Sequence, residues 1–259
     1  MQSHDRRTTR KARRAWVTIL GAALLLATFA VGCRRTRLDP EPTPGATEQK
    51  SAAPQTVSFP TSDGGLIYAH EYGKSDHGVV LVHGGRFDKE SWQEQAPVLA
   101  RAGFRVLAID LRGYGKSRGG SEPKDRDDGH YLDILGAVRY LRGTGAKTVS
   151  VVGASFGGGA AAKAAVEAAP GEIDRLILLA HSPIEQPERM KGRKLFITTR
   201  GDFSGGGVLR LPSIRDQYVK SPKPKELVIL EGSAHAQHIF GTEQGERLMR
   251  EIQRFLSEP

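Results

Sequence analysis

The chain has 259 residues, 38% of them hydrophobic and 26% charged, with 31 Gly, 14 Pro and a single Cys. That length holds one large α/β domain or two small ones, and the composition is too apolar for wholesale disorder and too polar for a polytopic membrane protein. One Cys excludes an internal disulfide and any Cys-rich zinc site, while the formal charge of +9 raises the question of nucleic acid or an anionic surface.

Most of that charge lies at the start of the chain. Residues 1–33 carry Arg6, Arg7, Arg10, Lys11, Arg13 and Arg14 against Asp5 alone, and an uncharged apolar run extends from Trp16 to Val31. A basic segment, an apolar stretch and small residues at its end form the pattern of an export signal. The run closes on Ala30-Val31-Gly32-Cys33, which resembles the lipobox of bacterial lipoproteins, although that family usually has Leu where Ala30 stands. The resemblance implies that Cys33 is acylated and tethers the chain to a membrane; an uncleaved signal anchor and an ordinary cleaved signal are the alternatives. All three place the rest of the chain outside the cytoplasm. Residues 34–55, with Pro40, Pro42, Pro44 and Pro54 and no apolar periodicity, read as a solvated tether. Residues 51–259 are left with a charge of only +3, which removes the electrostatic case for nucleic acid.

From residue 56 onward, strand and helix patterns alternate. Residues 56–60 and 66–72 read as a hairpin around Ser62-Asp63-Gly64-Gly65, and 79–82 is a short β-branched run suited to a buried central strand. A helical pattern over 89–102 ends at Gly103, and 105–111 is the next strand. Residues 130–141 form a helix with Ile134, Val138 and Leu141 on one face. Residues 148–152 are a strand, 160–168 a helix of small residues, and 176–180, 195–199 and 227–230 three further strands. An amphipathic helix at 246–256, with Leu248, Ile252 and Phe255 on one side, closes the chain. The alternation predicts one mostly parallel, eight-stranded sheet covered by helices on both faces.

Between the 148–152 strand and the next helix stands Gly153-Ala154-Ser155-Phe156-Gly157, a G-x-S-x-G pattern. Its glycines allow a turn so tight that the serine is held exposed in a strained conformation at a helix N-terminus. With this pentapeptide the chain resembles the α/β-hydrolase family over about residues 56–257. Leu81-Val82-His83-Gly84-Gly85 is similar to the family's HG-type loop after strand three, and Asp110-Leu111-Arg112-Gly113-Tyr114-Gly115-Lys116-Ser117 to its D-x-R-G-x-G-x-S segment. Asp202 follows the seventh strand, where the family keeps its acid. His235 follows the last strand, where it keeps its base.

The resemblance implies acyl transfer by a Ser155–His235–Asp202 triad, with the amides of Gly85 and Phe156 forming the oxyanion hole and no metal or cofactor required. His238 is a rival base and Glu185 a rival acid. The family commonly shows G-x-x-D, and here Thr199 takes the Gly position. The stretch ending Gly115-Lys116-Ser117 is not a phosphate-binding loop, because Asp110 stands where that pattern needs Gly. Only about 14 residues separate the sixth and seventh strands, too few for a cap domain, so an open site taking a small or medium acyl substrate is expected. Arg86 and Arg200, beside the loop and the acid, are the candidates for favouring an anionic substrate.

Overall fold

A computed structural model describes residues 53–120 and 129–258. The signal, Cys33 and nearly all of the tether lie outside these residues.

Eight strands form one sheet in the order β1-β2-β4-β3-β5-β6-β7-β8. They are β1 (Gln55–Pro60), β2 (Leu66–Tyr72), β3 (His77–Val82), β4 (Arg105–Ile109), β5 (Thr148–Ala154), β6 (Arg175–Leu179), β7 (Arg193–Thr199) and β8 (Lys225–Leu230). β1 and β2 are antiparallel, as is the β2–β4 pair, and every pairing from β4 through β8 is parallel. β3, β5 and β6 lie in the middle and are buried along nearly their whole length, as their unbroken apolar runs require.

Among the described residues, five α-helices cover the sheet: α1 (Gln95–Arg101), α2 (His130–Gly143), α3 (Ser155–Glu167), α4 (Leu211–Lys220) and α5 (Gly245–Ser257). One core joins α2, α3 and α4 to the sheet through Ile134, Val138, Ala161, Ala165 and Ile214. The other joins α1 and α5 through Ala96, Leu99, Leu248, Ile252 and Phe255. The expected architecture, a mostly parallel eight-stranded sheet with helices on both faces, is the one observed.

Local differences have physical causes. The single helix expected over 89–102 is a 3-10 turn, Lys89–Trp92, followed by the shorter α1. The 160–168 helix begins five residues earlier, at Ser155, directly from the strand. α4 has no counterpart among the elements expected from sequence, because LPSIRDQYVK is mostly polar and buries only Leu211, Ile214 and Gln217. β6 and β7 are joined by residues 180–192, whose one regular piece is the 3-10 turn Pro187–Arg189. Among the described residues no helix is long and apolar enough to cross a membrane.

Candidate active site

β5 runs straight into α3 through a turn in which Ser155 has φ 51°, a left-handed conformation that costs a non-glycine residue about 1–2 kcal/mol. Close backbone packing holds it there. A Cβ on Gly157 would stand 2.2 Å from the His83 carbonyl oxygen, and one on Gly153 2.8 Å from the Gly157 carbonyl oxygen and the Gly158 Cα. The glycines of the pattern are therefore demanded by contact with neighbouring backbone. The Ser182 amide also donates to the Ser155 carbonyl at 2.9 Å, bracing the turn from β6.

His235 and Asp202 arrive on the loops after β8 and β7, and those loops are joined beyond the ends of their strands. The Gly201 amide donates to the Gly232 carbonyl at 2.8 Å, and the Thr199 hydroxyl to the Ala234 carbonyl at 2.9 Å. Thr199, the departure from the family pattern, thus ties the strand before Asp202 to the loop of His235. The outcome is a continuous hydrogen-bonded row: His235 Nε2 lies 2.7 Å from Ser155 Oγ, and His235 Nδ1 lies 2.7 Å from Asp202 Oδ2. Asp202 is fully buried and His235 partly exposed. Such an arrangement fixes the imidazole with its Nδ1–H donating to the carboxylate and its Nε2 facing the hydroxyl.

The loop after β3 lies against this row. A Cβ on Gly84 would be 3.4 Å from that of Ser155, and one on Gly85 3.4 Å from that of Phe156. His83 is buried, its Nδ1–H donating to the Gly84 carbonyl at 2.9 Å and its Nε2 accepting from the Leu111 amide at 3.2 Å. Burial holds its pKa below the usual imidazole value, so it braces the loop as a neutral ring. The Gly84 amide donates to Gln237 Oε1 at 2.8 Å, while Gln237 Nε2 donates to Ser91 at 2.8 Å. That leaves the Gly85 amide as the next donor on this loop. The Phe156 amide sits in the first turn of α3, where amides lack an intrahelical acceptor.

A cavity of about 410 Å³ opens over Ser155, between the Gly84–Phe87 segment, the elbow, a hairpin spanning residues 202–210 and the turn after His235. The hairpin returns to its own start: the Arg210 amide donates to the Asp202 carbonyl at 2.8 Å, and Phe203 bridges Leu209. A larger cavity of about 690 Å³ lies between α2, α3 and the β6–β7 connection, and Phe156 belongs to the walls of both.

Neither rival is hydrogen-bonded to Ser155, although His238 shares the cavity over it. Glu185 lines the larger cavity, not the wall beside His235, and His238 packs its ring on Phe87 with centroids 5.2 Å apart. Arg200 turns outward to Glu231 at 3.1 Å and is no part of the cavity over Ser155, which corrects its placing beside the site. The Asp110–Ser117 segment is a brace. Buried Asp110 takes the Lys89 ammonium at 2.8 Å, Arg112 forks onto Asp133 and Asp63, and Ser117 Oγ accepts from the Tyr68 amide. Gln237 and Arg210 carried no signal, because the first acts on a loop 153 residues away and the second depends on the hairpin folding back onto Asp202. Among the described residues no group of three or more His, Cys, Asp or Glu is placed to hold a metal ion.

The family model described as the alpha/beta hydrolase fold matches residues 79–207. Fold and family match together make the chain a member of the α/β-hydrolase superfamily. Over 123 residues, 47% of this chain, it is 32% identical to a non-heme haloperoxidase of Rhodococcus erythropolis. Over 125 residues, 48% of this chain, it is 33% identical to a bifunctional esterase/perhydrolase of Acinetobacter calcoaceticus. The matched stretches span 43% and 44% of those relatives' own lengths. Among solved structures, a CIB-like hydrolase from Thermoplasma acidophilum superposes with a TM-score of 0.63 at 23% identity, over 79% of this chain and 98% of that one.

Proposed function

We propose that the chain is a serine hydrolase that cleaves carboxylic esters. The observation that carries this reading is the Asp202–His235–Ser155 row, each link 2.7 Å, with the serine on a strained elbow facing an open cavity. Ser155 Oγ attacks the ester carbonyl as His235 Nε2 takes its proton, and Asp202 stabilises the imidazolium that forms. The developing oxyanion is met by the Gly85 and Phe156 amides, an effect worth about 3–4 kcal/mol per donor. His235 then returns the proton to the leaving alcohol, and water repeats the sequence on the acyl-enzyme to release the acid. The esterase activity in the name of the Acinetobacter relative supports an ester as substrate. The same residues also serve amides and thioesters, since the triad alone does not separate acyl leaving groups.

A fluorophosphonate probe is expected to label the wild-type serine. Ser155→Ala is expected to lose that labelling and about 10³–10⁶ in kcat on a 4-nitrophenyl ester. Normal turnover by the alanine variant would overturn the mechanism.

The proposed setting is a membrane surface outside the cytoplasm, with Cys33 acylated. Two or more acyl chains anchor stably where one is marginal. Cys33→Ser is expected to move the protein to the soluble fraction, whereas full membrane retention would overturn the lipid anchor.

A further inference from the structure

We infer that the cavity over Ser155 selects esters carrying a carboxylate close to the scissile bond, with Arg86 as the residue that recognises it. The inference rests on the serine-hydrolase reading and adds a substrate class to it.

The charge of the cavity wall is one-sided. Arg86 and Arg210 belong to the wall, and no Asp or Glu does. The nearest acid of the mechanism, Asp202, is fully buried behind His235 and already faces two partners, His235 and Arg210. Arg86 differs from Arg210 in being exposed and in making no ion pair or hydrogen bond with any described residue. Several charged side chains nearby are matched. Arg200 takes Glu231, Lys89 takes Asp110 and Glu90, and Arg112 takes Asp133 and Asp63. Arg86 therefore presents a guanidinium whose fork has no carboxylate, at the edge of a concave wall where field lines of one sign concentrate.

Its position fixes where the substrate's charge would be. Arg86 directly follows Gly85, whose amide is the proposed oxyanion donor, and it lines the cavity that holds Ser155, so the anion it would recognise is one carried by the substrate beside the reacting carbonyl. A carboxylate there would form a charge-assisted pair in a partly enclosed site. Such hydrogen bonds contribute enough to change a specificity ratio by about tenfold. The carboxylate could sit on the acyl side, as in a half-ester of a short diacid, or on the alcohol side. Both place the same anion against the same guanidinium.

Two matched ester pairs test the inference with the purified protein. The acyl-side pair is 4-nitrophenyl hemisuccinate and 4-nitrophenyl butyrate; the alcohol-side pair is 4-acetoxybenzoate and its methyl ester. In one pair the anionic member is expected to have a kcat/KM about tenfold above its neutral partner, falling toward parity at ~0.5 M salt as screening grows. Arg86→Gln is expected to bring that ratio down about tenfold, and Arg101→Gln, a charge removal at the exposed end of α1, to leave it in place. Turnover with the neutral member equal or better in both pairs overturns the inference while leaving the hydrolase reading intact. A ratio that survives Arg86→Gln also overturns it. Failure to cleave any of the four esters overturns both readings together.

Discussion

The Arg210 guanidinium lies 3.5 Å from Asp202 Oδ1, the carboxylate oxygen that His235 does not use. Neither Oδ1 nor Arg210 Nε has a well-formed hydrogen bond among the described residues, and both are buried. Asp202 is thus a fully buried carboxylate with one oxygen on the imidazole and the other steadied by charge alone. Removing one partner of a buried pair leaves the other uncompensated, which is the costly case. Arg210→Met is expected to lower kcat on a neutral ester about tenfold, worth about 1.4 kcal/mol, with KM moving less than ~3-fold. Arg210→Lys should recover most of the loss by restoring the charge. Equal kcat values in Arg210→Met and wild type would show that Arg210 does not position the acid.

Gly157 gives the sharpest steric prediction. A methyl group there would stand 2.2 Å from the His83 carbonyl oxygen and 2.9 Å from Val82 Cγ1, and the first of these is backbone that cannot rotate away. Gly157→Ala is expected to destabilise the fold by about 1–3 kcal/mol and to open the elbow away from the Gly84–Gly85 loop. Urea denaturation and fluorophosphonate labelling should fall together. A variant with unchanged midpoint and unchanged labelling rate would contradict the packing described.

His181 makes stability sensitive to acid. It follows β6, is buried against Phe196 and Gly158, and burial pushes its pKa down to about 4, opposed only by the Gln217 amide. Neither ring nitrogen has a well-aligned hydrogen bond. Its unfolded value is 6.5, so the stability it contributes is complete above that pH. As pH falls from 6.5 toward 4, the unfolded chain takes a proton that the folded chain refuses, and up to about 3 kcal/mol is lost. His83, also held low by burial, acts with the same sign. Urea melts between ~pH 7 and ~pH 4.5 are expected to show a marked decline that His181→Leu reduces but does not abolish. A decline of the same size in both proteins would assign it elsewhere.

Phe156 separates two cavities of about 410 and 690 Å³, its ring edge-on to His130 at 4.8 Å. Phe156→Ala keeps the backbone amide beside Ser155 and removes the wall. The variant is expected to shift preference toward longer acyl chains, measured as the ratio of kcat/KM for 4-nitrophenyl decanoate to that for the butyrate, by about tenfold. That corresponds to about two additional buried methylenes. An unchanged ratio would show that the larger cavity takes no part in substrate binding.

The sheet was legible because its central strands are unbroken apolar runs between turn residues, and the elbow because close backbone contact leaves only glycine at Gly153 and Gly157. The positions of Ser155, Asp202 and His235, after the fifth, seventh and eighth strands, came from the resemblance to the α/β-hydrolase family. What was hidden has a common cause. α4 is short and mostly polar, and Gln217 takes a buried place on it by pairing with the Ile184 backbone. Lys194 stands fully buried inside β7 because its ammonium reaches the Gly192 carbonyl at 2.5 Å. Gln237 and Arg210 act through partners 153 and 8 residues away, and only the folded chain brings them together. Each is a polar residue whose role is set by tertiary contact, which local pattern does not encode.

The hairpin of residues 202–210 is pinned at its neck, where the Arg210 amide meets the Asp202 carbonyl, while Phe203 and Val208 on its arms are exposed at 57% and 67%. An insertion at the Gly205–Gly207 tip would leave that neck, and hence the acid, where it is. Doubling the length of such a loop costs only about 0.6 kcal/mol in closure entropy. The chain therefore carries, at the rim of the cavity over Ser155, a loop tip whose length can change without moving the Asp202–His235–Ser155 row.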